Sequence, residues 1–121
     1  MALKVLIVDD DFINRKLLQT LLRKHPDVTD ILEAENGSEA LDTIGNTSDI
    51  DLILLDMVMP IVDGIEFLKI FRSDMANAHI PVIVLSTDDT KKTEAFNSGS
   101  NDFLTKPIKE EKLFEKIAQW S

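Results

Sequence analysis

The amino-acid sequence predicts a doubly wound α/β fold, in which a five-stranded parallel sheet carries helices on both faces. Three apolar runs of four residues, at 5–8, 52–55 and 82–85, contain no polar break, which is typical of strands buried on both faces. Segments with helical periodicity lie between the strand candidates. Strands that alternate with helices pair in parallel, because right-handed crossovers place the helices on both faces of the sheet.

Two shorter segments, residues 30–35 and 102–105, complete the five strands. Both are more polar than the three central runs, as strands at or near the edge of a sheet can be. The chain as a whole therefore indicates five successive β–α units.

The first helix is predicted to bury its leucines and to expose its polar residues. The apolar face consists of Leu17, Leu18, Leu21 and Leu22. Arg15 and Gln19 are expected on the surface, because they fall outside that set. The second helix is short and follows an Asn-Gly turn. Asp63 is expected to cap the third helix, the fourth covers residues 91–98 before Gly99, and the fifth follows Pro107.

Length and composition exclude several classes of protein. The 121 residues fit one domain, which we expect to span residues 1–121. The absence of cysteine excludes disulfide scaffolds, thiolate metal sites and cysteine nucleophiles. A net charge of −9 argues against direct nucleic-acid binding. No apolar stretch has the length of a signal-peptide core or a membrane span, so we expect a cytoplasmic protein without membrane insertion.

Polar side chains follow four of the predicted strands, where ligands bind in open parallel sheets. Asp9 and Asp10 follow the first strand, Asp56 the third, Ser86 the fourth and Lys106 the fifth. Several carboxylates without histidine or cysteine are the ligands that Mg²⁺ prefers, and Mn²⁺ takes similar ligands. A lysine beside them provides a point charge for a phosphoryl oxygen. This set predicts metal-assisted phosphoryl transfer.

The phosphoryl acceptor is predicted to be a carboxylate, because no serine here lies next to a base. Asp56 is the better candidate, since it stands alone at the end of the most apolar strand. Asp9 and Asp10 are then the pair that holds the metal. Asp11 is expected to start the first helix through the helix dipole and not to bind metal.

These residues resemble the receiver domain of response regulators, the phosphoacceptor module of two-component signalling, over essentially the whole chain. The resemblance implies the flavodoxin-like (βα)5 receiver fold. No single motif is specific, but all of them occur in order, each at the end of a strand. The matching motifs are Val8-Asp9-Asp10, Asp56-x-x-Met59-Pro60-x-x-Asp63-Gly64, Ser86-Thr87 and Lys106-Pro107.

The resemblance also implies a role for each residue. Asp10 and Asp56 would bind Mg²⁺ directly together with the backbone carbonyl of Val58, whereas Asp9 would act mostly through water. Ser86 would move to hydrogen-bond the phosphoryl group, and Lys106 would form an ion pair with it. The Lys106–Pro107 peptide bond would be cis. Phe103 occupies the position of the switch aromatic, which rotates inward when Ser86 moves. Because valine cannot orient an attacking water, Val58 implies slow loss of the phosphoryl group.

The resemblance implies the partners and the type of activity as well. The phosphodonor would be a sensor histidine kinase or a histidine phosphotransfer protein. The chain would be a switch that catalyses only its own phosphorylation and dephosphorylation, not an enzyme with a separate substrate. Its output face, formed by the fourth helix, fifth strand and fifth helix, would contact a downstream protein or an output domain that this sequence lacks. A monomer that dimerises on phosphorylation fits these expectations. A degenerate receiver that binds partners without phosphorylation is the alternative.

Overall fold

The described residues, 2–57 and 63–121 of a computed structural model, form the predicted α/β sandwich. Strands and helices alternate along them. The strands are β1 (Leu3–Val8), β2 (Val28–Ala34), β3 (Leu52–Asp56), β4 (Val82–Ser86) and β5 (Asp102–Thr105). The helices are α1 (Phe12–Leu22), α2 (Gly37–Asn46), α3 (Gly64–Ser73), α4 (Lys92–Asn97) and α5 (Glu110–Trp120). Short 3₁₀ turns at Met75–Asn77 and Asp89–Lys91 precede β4 and α4.

The sheet is parallel throughout, with the strand order β2-β1-β3-β4-β5. The two polar strand candidates are therefore the two edges, as their composition indicated. The three apolar runs fill the centre. The register pairs Val8 with Leu55 and Asp56 with Leu85, so the carboxyl ends of the three central strands lie side by side.

The core consists of two apolar layers, one on each face of the sheet. Leu6 and Val8 of β1 face a layer that includes residues of α2, α3 and α4. Val5 and Ile7 alternate with them and face a second layer that includes residues of α1 and α5. This double burial explains why the central strands are uninterrupted apolar runs.

The predicted buried face of α1 is wrong in part. Leu18 and Leu22 are buried, but Leu17 is 60% exposed, and the buried polar residues of the helix are Arg15 and Gln19. Positions 15, 18, 19 and 22 have the i, i+3, i+4, i+7 spacing of a single helical face. The buried face of α1 therefore has that spacing, and Leu17 lies outside the core.

Side-chain caps fix where two helices begin near the carboxyl edge of the sheet. The Asp11 carboxylate accepts a hydrogen bond from the Ile13 amide at 2.9 Å, and Asp63 accepts one from the Glu66 amide at 2.9 Å. Both aspartates thus act at helix starts, as expected from the sequence. Gly99 follows α4 with a φ of 116°, a left-handed conformation that favours glycine. None of the helices in the described part of the chain has the length and apolar character needed to cross a membrane.

Candidate functional site

The structure brings the predicted acidic residues together at the carboxyl edge of the sheet. Asp9 and Asp10 follow β1, and Asp56 is the last residue of the neighbouring strand β3. One carboxylate oxygen from each lies within 4.8 Å of the others. Asp9 is 1% exposed and Asp56 is 9% exposed, while Asp10 is exposed to solvent. We call these three residues the acidic cluster.

Lys106 places its ammonium group against the acidic cluster. Its Nζ donates a hydrogen bond to Asp56 Oδ1 at 2.9 Å and lies 3.6 Å from Asp9 Oδ2. The Lys106 backbone amide donates to the Ser86 carbonyl at 2.8 Å, which ties the residue to the end of β4. The Lys106–Pro107 peptide bond is cis, as the resemblance implied. The predicted lysine and acceptor aspartate are therefore in direct contact.

Hydrogen bonds hold the backbone of Asp9 and one of its two carboxylate oxygens. Its backbone amide donates to the Ala34 carbonyl at 3.1 Å, and its Oδ1 accepts from the Asp11 amide at 2.9 Å. Asp9 Oδ2 is buried and has no hydrogen-bond partner among the residues that the structure describes. A buried carboxylate oxygen without such a partner is unfavourable unless a ligand satisfies it.

Burial determines the ionisation of the cluster. It raises the pKa of Asp9, against the opposing effects of the Asp11 amide and Lys106. Burial also raises the pKa of Asp56, where the Lys106 hydrogen bond opposes it and the charge of Asp9 adds to it. For Lys106, burial alone would lower the pKa, but the hydrogen bond and charge of Asp56 and the charge of Asp9 raise it. Lys106 therefore stays protonated, and burial makes the ionised forms of Asp9 and Asp56 less favourable.

The donor set fits a divalent, oxygen-preferring cation. Three carboxylates face a single ammonium group, which leaves two negative charges uncompensated. Asp9 Oδ2, which accepts no hydrogen bond from the residues that the structure describes, and the burial that raises the pKa of Asp9 and Asp56 both favour a bound cation. Hard carboxylate oxygens without nitrogen or sulfur ligands suit such an ion. The backbone carbonyl of Val58, the other predicted ligand, lies outside the described residues.

Ser86 ends β4 next to the cluster, and its hydroxyl is held by its own loop. Ser86 is 5% exposed, and its Oγ accepts a hydrogen bond from the Asp88 amide at 3.0 Å. At the next residue of this loop, the Asp89 carboxylate accepts a hydrogen bond from the Thr105 hydroxyl of β5. This contact links the edge strand to the 3₁₀ turn before α4. Movement of Ser86 towards a phosphoryl group would therefore have to break contacts within this loop.

Phe103 is already buried in the structure. The residue is 7% exposed and packs in the layer that contains Val84, Met57 and Ala95. The resemblance implied that this ring rotates inward when Ser86 moves. Its role as a switch residue stays a prediction.

Sequence reasoning missed Arg15 as a neighbour of the site. Its guanidinium is buried and donates to the backbone carbonyl of Asp9 at 2.8 Å. The i, i+3, i+4, i+7 spacing that Arg15 shares with Leu18, Gln19 and Leu22 was the signal that could have identified it. The density of leucines in α1 obscured that spacing.

An apolar groove of about 580 Å³ opens beside the cluster, between α1 and the loops that follow β4 and β5. Asp9 and Lys106 line one part of it. Leu17, Leu21 and Ile108 supply apolar walls. Leu17 of α1, which lies outside the core, thus contributes to a surface next to Asp9 and Lys106.

Comparisons with known proteins agree with this geometry. The chain is 36% identical to the chemotaxis protein CheY of Halobacterium salinarum, covering 98% of this chain and 96% of that protein. It also matches 4% and 7% of the lengths of two hybrid signal transduction histidine kinases of Dictyostelium discoideum. The structure of Vibrio cholerae chemotaxis protein CheY4 superposes with a TM-score of 0.89 at 28% identity, covering 100% of both chains.

A second solved structure contains a partner. It is the co-crystal structure of a histidine phosphotransfer signaling protein and the receiver domain of its downstream response regulator, from Saccharomyces cerevisiae. The similarity has a TM-score of 0.87 at 31% identity and covers 98% of this chain and 88% of that chain. Residues 5–118 match the response regulator receiver domain, so the fold, the strand-end cluster and the comparisons agree that this chain belongs to the receiver domain family of two-component and chemotaxis response regulators.

Proposed function

We propose that this receiver domain is a phosphoacceptor switch of a two-component phosphorelay, in which Asp56 takes the phosphoryl group from a phosphohistidine donor. The observation that carries the proposal is the contact of Asp56 with Lys106 inside the acidic cluster. A carboxylate at a strand end, paired with one ammonium and flanked by further carboxylates, has the parts that phosphoryl transfer to an aspartate requires.

The transfer uses the side chains in distinct ways. A carboxylate oxygen of Asp56 attacks phosphorus, the new O–P bond forms as the N–P bond of the donor breaks, and the donor imidazole leaves. Lys106 is within hydrogen-bond distance of Asp56, so its ammonium pairs with the charge that the phosphoryl oxygens bring. Ser86 ends the neighbouring strand and provides a hydroxyl donor for another phosphoryl oxygen. The chain catalyses only its own phosphorylation and dephosphorylation.

Asp9, Asp10 and Asp56 would hold Mg²⁺, and Mn²⁺ fits the same oxygen ligands. The carbonyl of Val58 is the further ligand that the resemblance implies. When bound, the ion neutralises charge on the oxygens of the transferring group. Asp9 contributes the buried oxygen that has no hydrogen-bond partner among the described residues.

The phosphodonor docks on the apolar groove beside the cluster. A phosphohistidine that reaches Asp56 must bring its own protein surface against the rim of the site. Leu17, exposed on α1, lines the groove together with Lys106, so the apolar surface is continuous with the reactive one. The partner that would carry this phosphohistidine is a sensor histidine kinase or a histidine phosphotransfer protein, such as the one in the yeast complex.

The docking surface is tested by changing Leu17 to Asp. Because Leu17 is exposed, the substitution should leave stability nearly unchanged and should slow phosphotransfer from a protein donor at least tenfold. The rate with acetyl phosphate should be unaffected, since a small donor needs no docking surface. Met75→Asp, at an 89% exposed position remote from the groove, is the matched control. Equal rates for both variants with the protein donor would contradict the proposed surface.

The proposed chemistry is tested by incubating the chain with acetyl phosphate and Mg²⁺ and measuring the intact mass. We expect a gain of one phosphoryl group in the wild type, none in Asp56→Asn, and none when Mg²⁺ is chelated. Asp51→Asn, immediately before the opposite end of the same strand, is the matched control and should still gain the group. A wild type that gains no mass with Mg²⁺ or Mn²⁺ would instead favour a degenerate receiver that binds partners without phosphorylation.

A further inference from the structure

We propose that Arg15 is a positioning residue of the acidic cluster, which acts by holding the backbone of Asp9. The inference rests on the proposed function, because it concerns how the metal and phosphoryl site is kept in shape. Arg15 belongs to α1 and is 7% exposed, although it carries a charge. Its hydrogen bonds go to groups near the carboxyl ends of β1 and β2.

The guanidinium of Arg15 joins β1 to β2. One terminal nitrogen donates to the Asp9 carbonyl at 2.8 Å, and Nε donates to Glu33 Oε1 of β2 at 3.0 Å. The other terminal nitrogen lies 3.8 Å from Glu35 Oε1. The group also lies 5.7 Å from the centroid of the Phe12 ring. Arg15 is therefore fixed by β2 and by its own helix while it holds Asp9.

Only an arginine makes these contacts together. The guanidinium presents several donors in a rigid plane, whereas a lysine ammonium is a point charge on a flexible stem. Burying a charge is unfavourable, and an apolar residue at this position of the helical face would pack against the core without that penalty. The contacts of Arg15 go to the strand ends and include the backbone of Asp9 itself, which accounts for a charged residue at this position.

The bond from Arg15 completes the anchoring of Asp9. The Asp9 amide is held by Ala34, its carbonyl by Arg15 and its Oδ1 by the Asp11 amide. These contacts fix the orientation of the remaining oxygen, Oδ2, which points towards Lys106. Partners that orient a ligand from behind typically change metal affinity about 10–100-fold when they are lost.

The test compares Arg15→Lys with the wild type by calorimetric titration of Mg²⁺. We expect the variant to bind Mg²⁺ about 10–100-fold more weakly. Arg72→Lys is the matched control, because Arg72 is also partly buried and donates to Gly99, Asn77 and Asn101 near the opposite ends of the strands. It should lose stability without losing Mg²⁺ affinity. Glu33→Gln should also retain affinity, since it leaves the bond to Asp9 in place.

A readout on the metal-free protein separates positioning from a purely structural role. In Arg15→Lys without Mg²⁺, the Asp11 amide should exchange its hydrogen faster than in the wild type, because the Asp9 carboxylate that accepts it is less fixed. Amides of the central strands should exchange at rates explained by the change in global stability alone. If the substitution accelerates exchange of the Asp11 amide no more than it accelerates exchange of the central-strand amides, the inference is overturned.

A further measurement needs no variant. Coupling between two sites is reciprocal, so if Arg15 organises the metal site, Mg²⁺ must in turn protect the Arg15 guanidinium. The Nη1–H signal of Arg15, the group that donates to the Asp9 carbonyl, should exchange more slowly when Mg²⁺ is added, while the guanidinium N–H signals of Arg72 should not change. An Arg15 signal insensitive to Mg²⁺, in a wild type that binds Mg²⁺ and accepts a phosphoryl group, would refute the role of Arg15 and leave the proposed function intact. A wild type that does neither would refute the proposed function itself.

Discussion

Replacing Asp9 with Asn should stabilise the metal-free protein and destabilise it relative to the wild type when Mg²⁺ is present. At an effective dielectric constant of about 20, the 3.6 Å contact with Lys106 attracts Asp9 by about 5 kcal/mol. Asp56, within 4.8 Å, repels it by about 3.5 kcal/mol or more, and Asp10 adds to the repulsion. Asp10 also has a carboxylate oxygen within that distance, so the repulsion is at least as large as the attraction, and the unfavourable burial of the Asp9 charge adds to it.

The expected sign follows from the direction of the pKa shift. Burial raises the pKa of Asp9, so the ionised carboxylate is less favourable in the folded protein than in the unfolded chain. We expect Asp9→Asn to raise the free energy of unfolding in EDTA by about 0.5–2 kcal/mol, the range common for stabilising substitutions. At a Mg²⁺ concentration of about 100 times the dissociation constant, the wild type should gain about 2.7 kcal/mol and the variant much less.

The assay is urea unfolding of both proteins in EDTA and in Mg²⁺, with the pH varied in EDTA. Since burial raises the pKa of Asp9 and Asp56, the folded state binds these protons more tightly than the unfolded state. The unfolding free energy of the wild type should therefore rise as the pH falls from the folded pKa values towards 3.8. Asp9→Asn should reduce that rise. A variant less stable than the wild type in EDTA, or an equal response to Mg²⁺, would refute this reasoning.

Three further predictions concern other parts of the site and the fold. Gly64→Ala should destabilise the chain by about 1–3 kcal/mol in urea unfolding, because the added Cβ would lie 2.8 Å from the Asp56 carbonyl oxygen. Asp102→Asn should lower the unfolding free energy by about 1–2 kcal/mol at pH 7, since it weakens the bond from Trp120, and this loss should vanish in strong acid. Hydrolysis of the phosphorylated chain should be faster in Val58→Asn, measured by loss of phosphoryl mass.

The pH dependence of the Asp102 prediction has the opposite sign to that of the acidic cluster. Burial alone would raise the pKa of Asp102, but hydrogen bonds from Trp120, the Phe103 amide and Lys116 lower it. A lowered carboxyl pKa gives stability that is present above the unfolded value and is lost as the pH falls through the folded one. Asp102→Asn should therefore flatten the acid limb of the stability profile. An unchanged acid limb would contradict the assignment.

The reactive part of the site was predictable from the sequence because topology places it. Parallel strands share one carboxyl edge, so Asp9, Asp56 and Lys106 had to meet once their strands were recognised. The prediction needed no knowledge of side-chain packing. The apolar runs are distinctive enough to identify those strands, since both of their faces are buried.

The surroundings of the site were not predictable in the same way. The burial of Arg15 depends on which face of α1 meets the sheet, and the leucines of that helix fit more than one face. The contact of Thr105 with Asp89 joins residues from separate elements, and no local pattern indicates it. Similarly, the inward position of Phe103 depends on the packing around it. Such long-range side-chain contacts require the three-dimensional structure.

Locating the phosphoryl group is the measurement that tests the central claim most directly. The chain is phosphorylated with acetyl phosphate and Mg²⁺, reduced with borohydride, which converts an aspartyl phosphate to an alcohol, and analysed by peptide mass spectrometry. The account predicts reduction at Asp56 alone, with Asp9 and Asp10 unmodified. Reduction at Asp9 or Asp10, or a stable phosphate ester on Ser86, would contradict it.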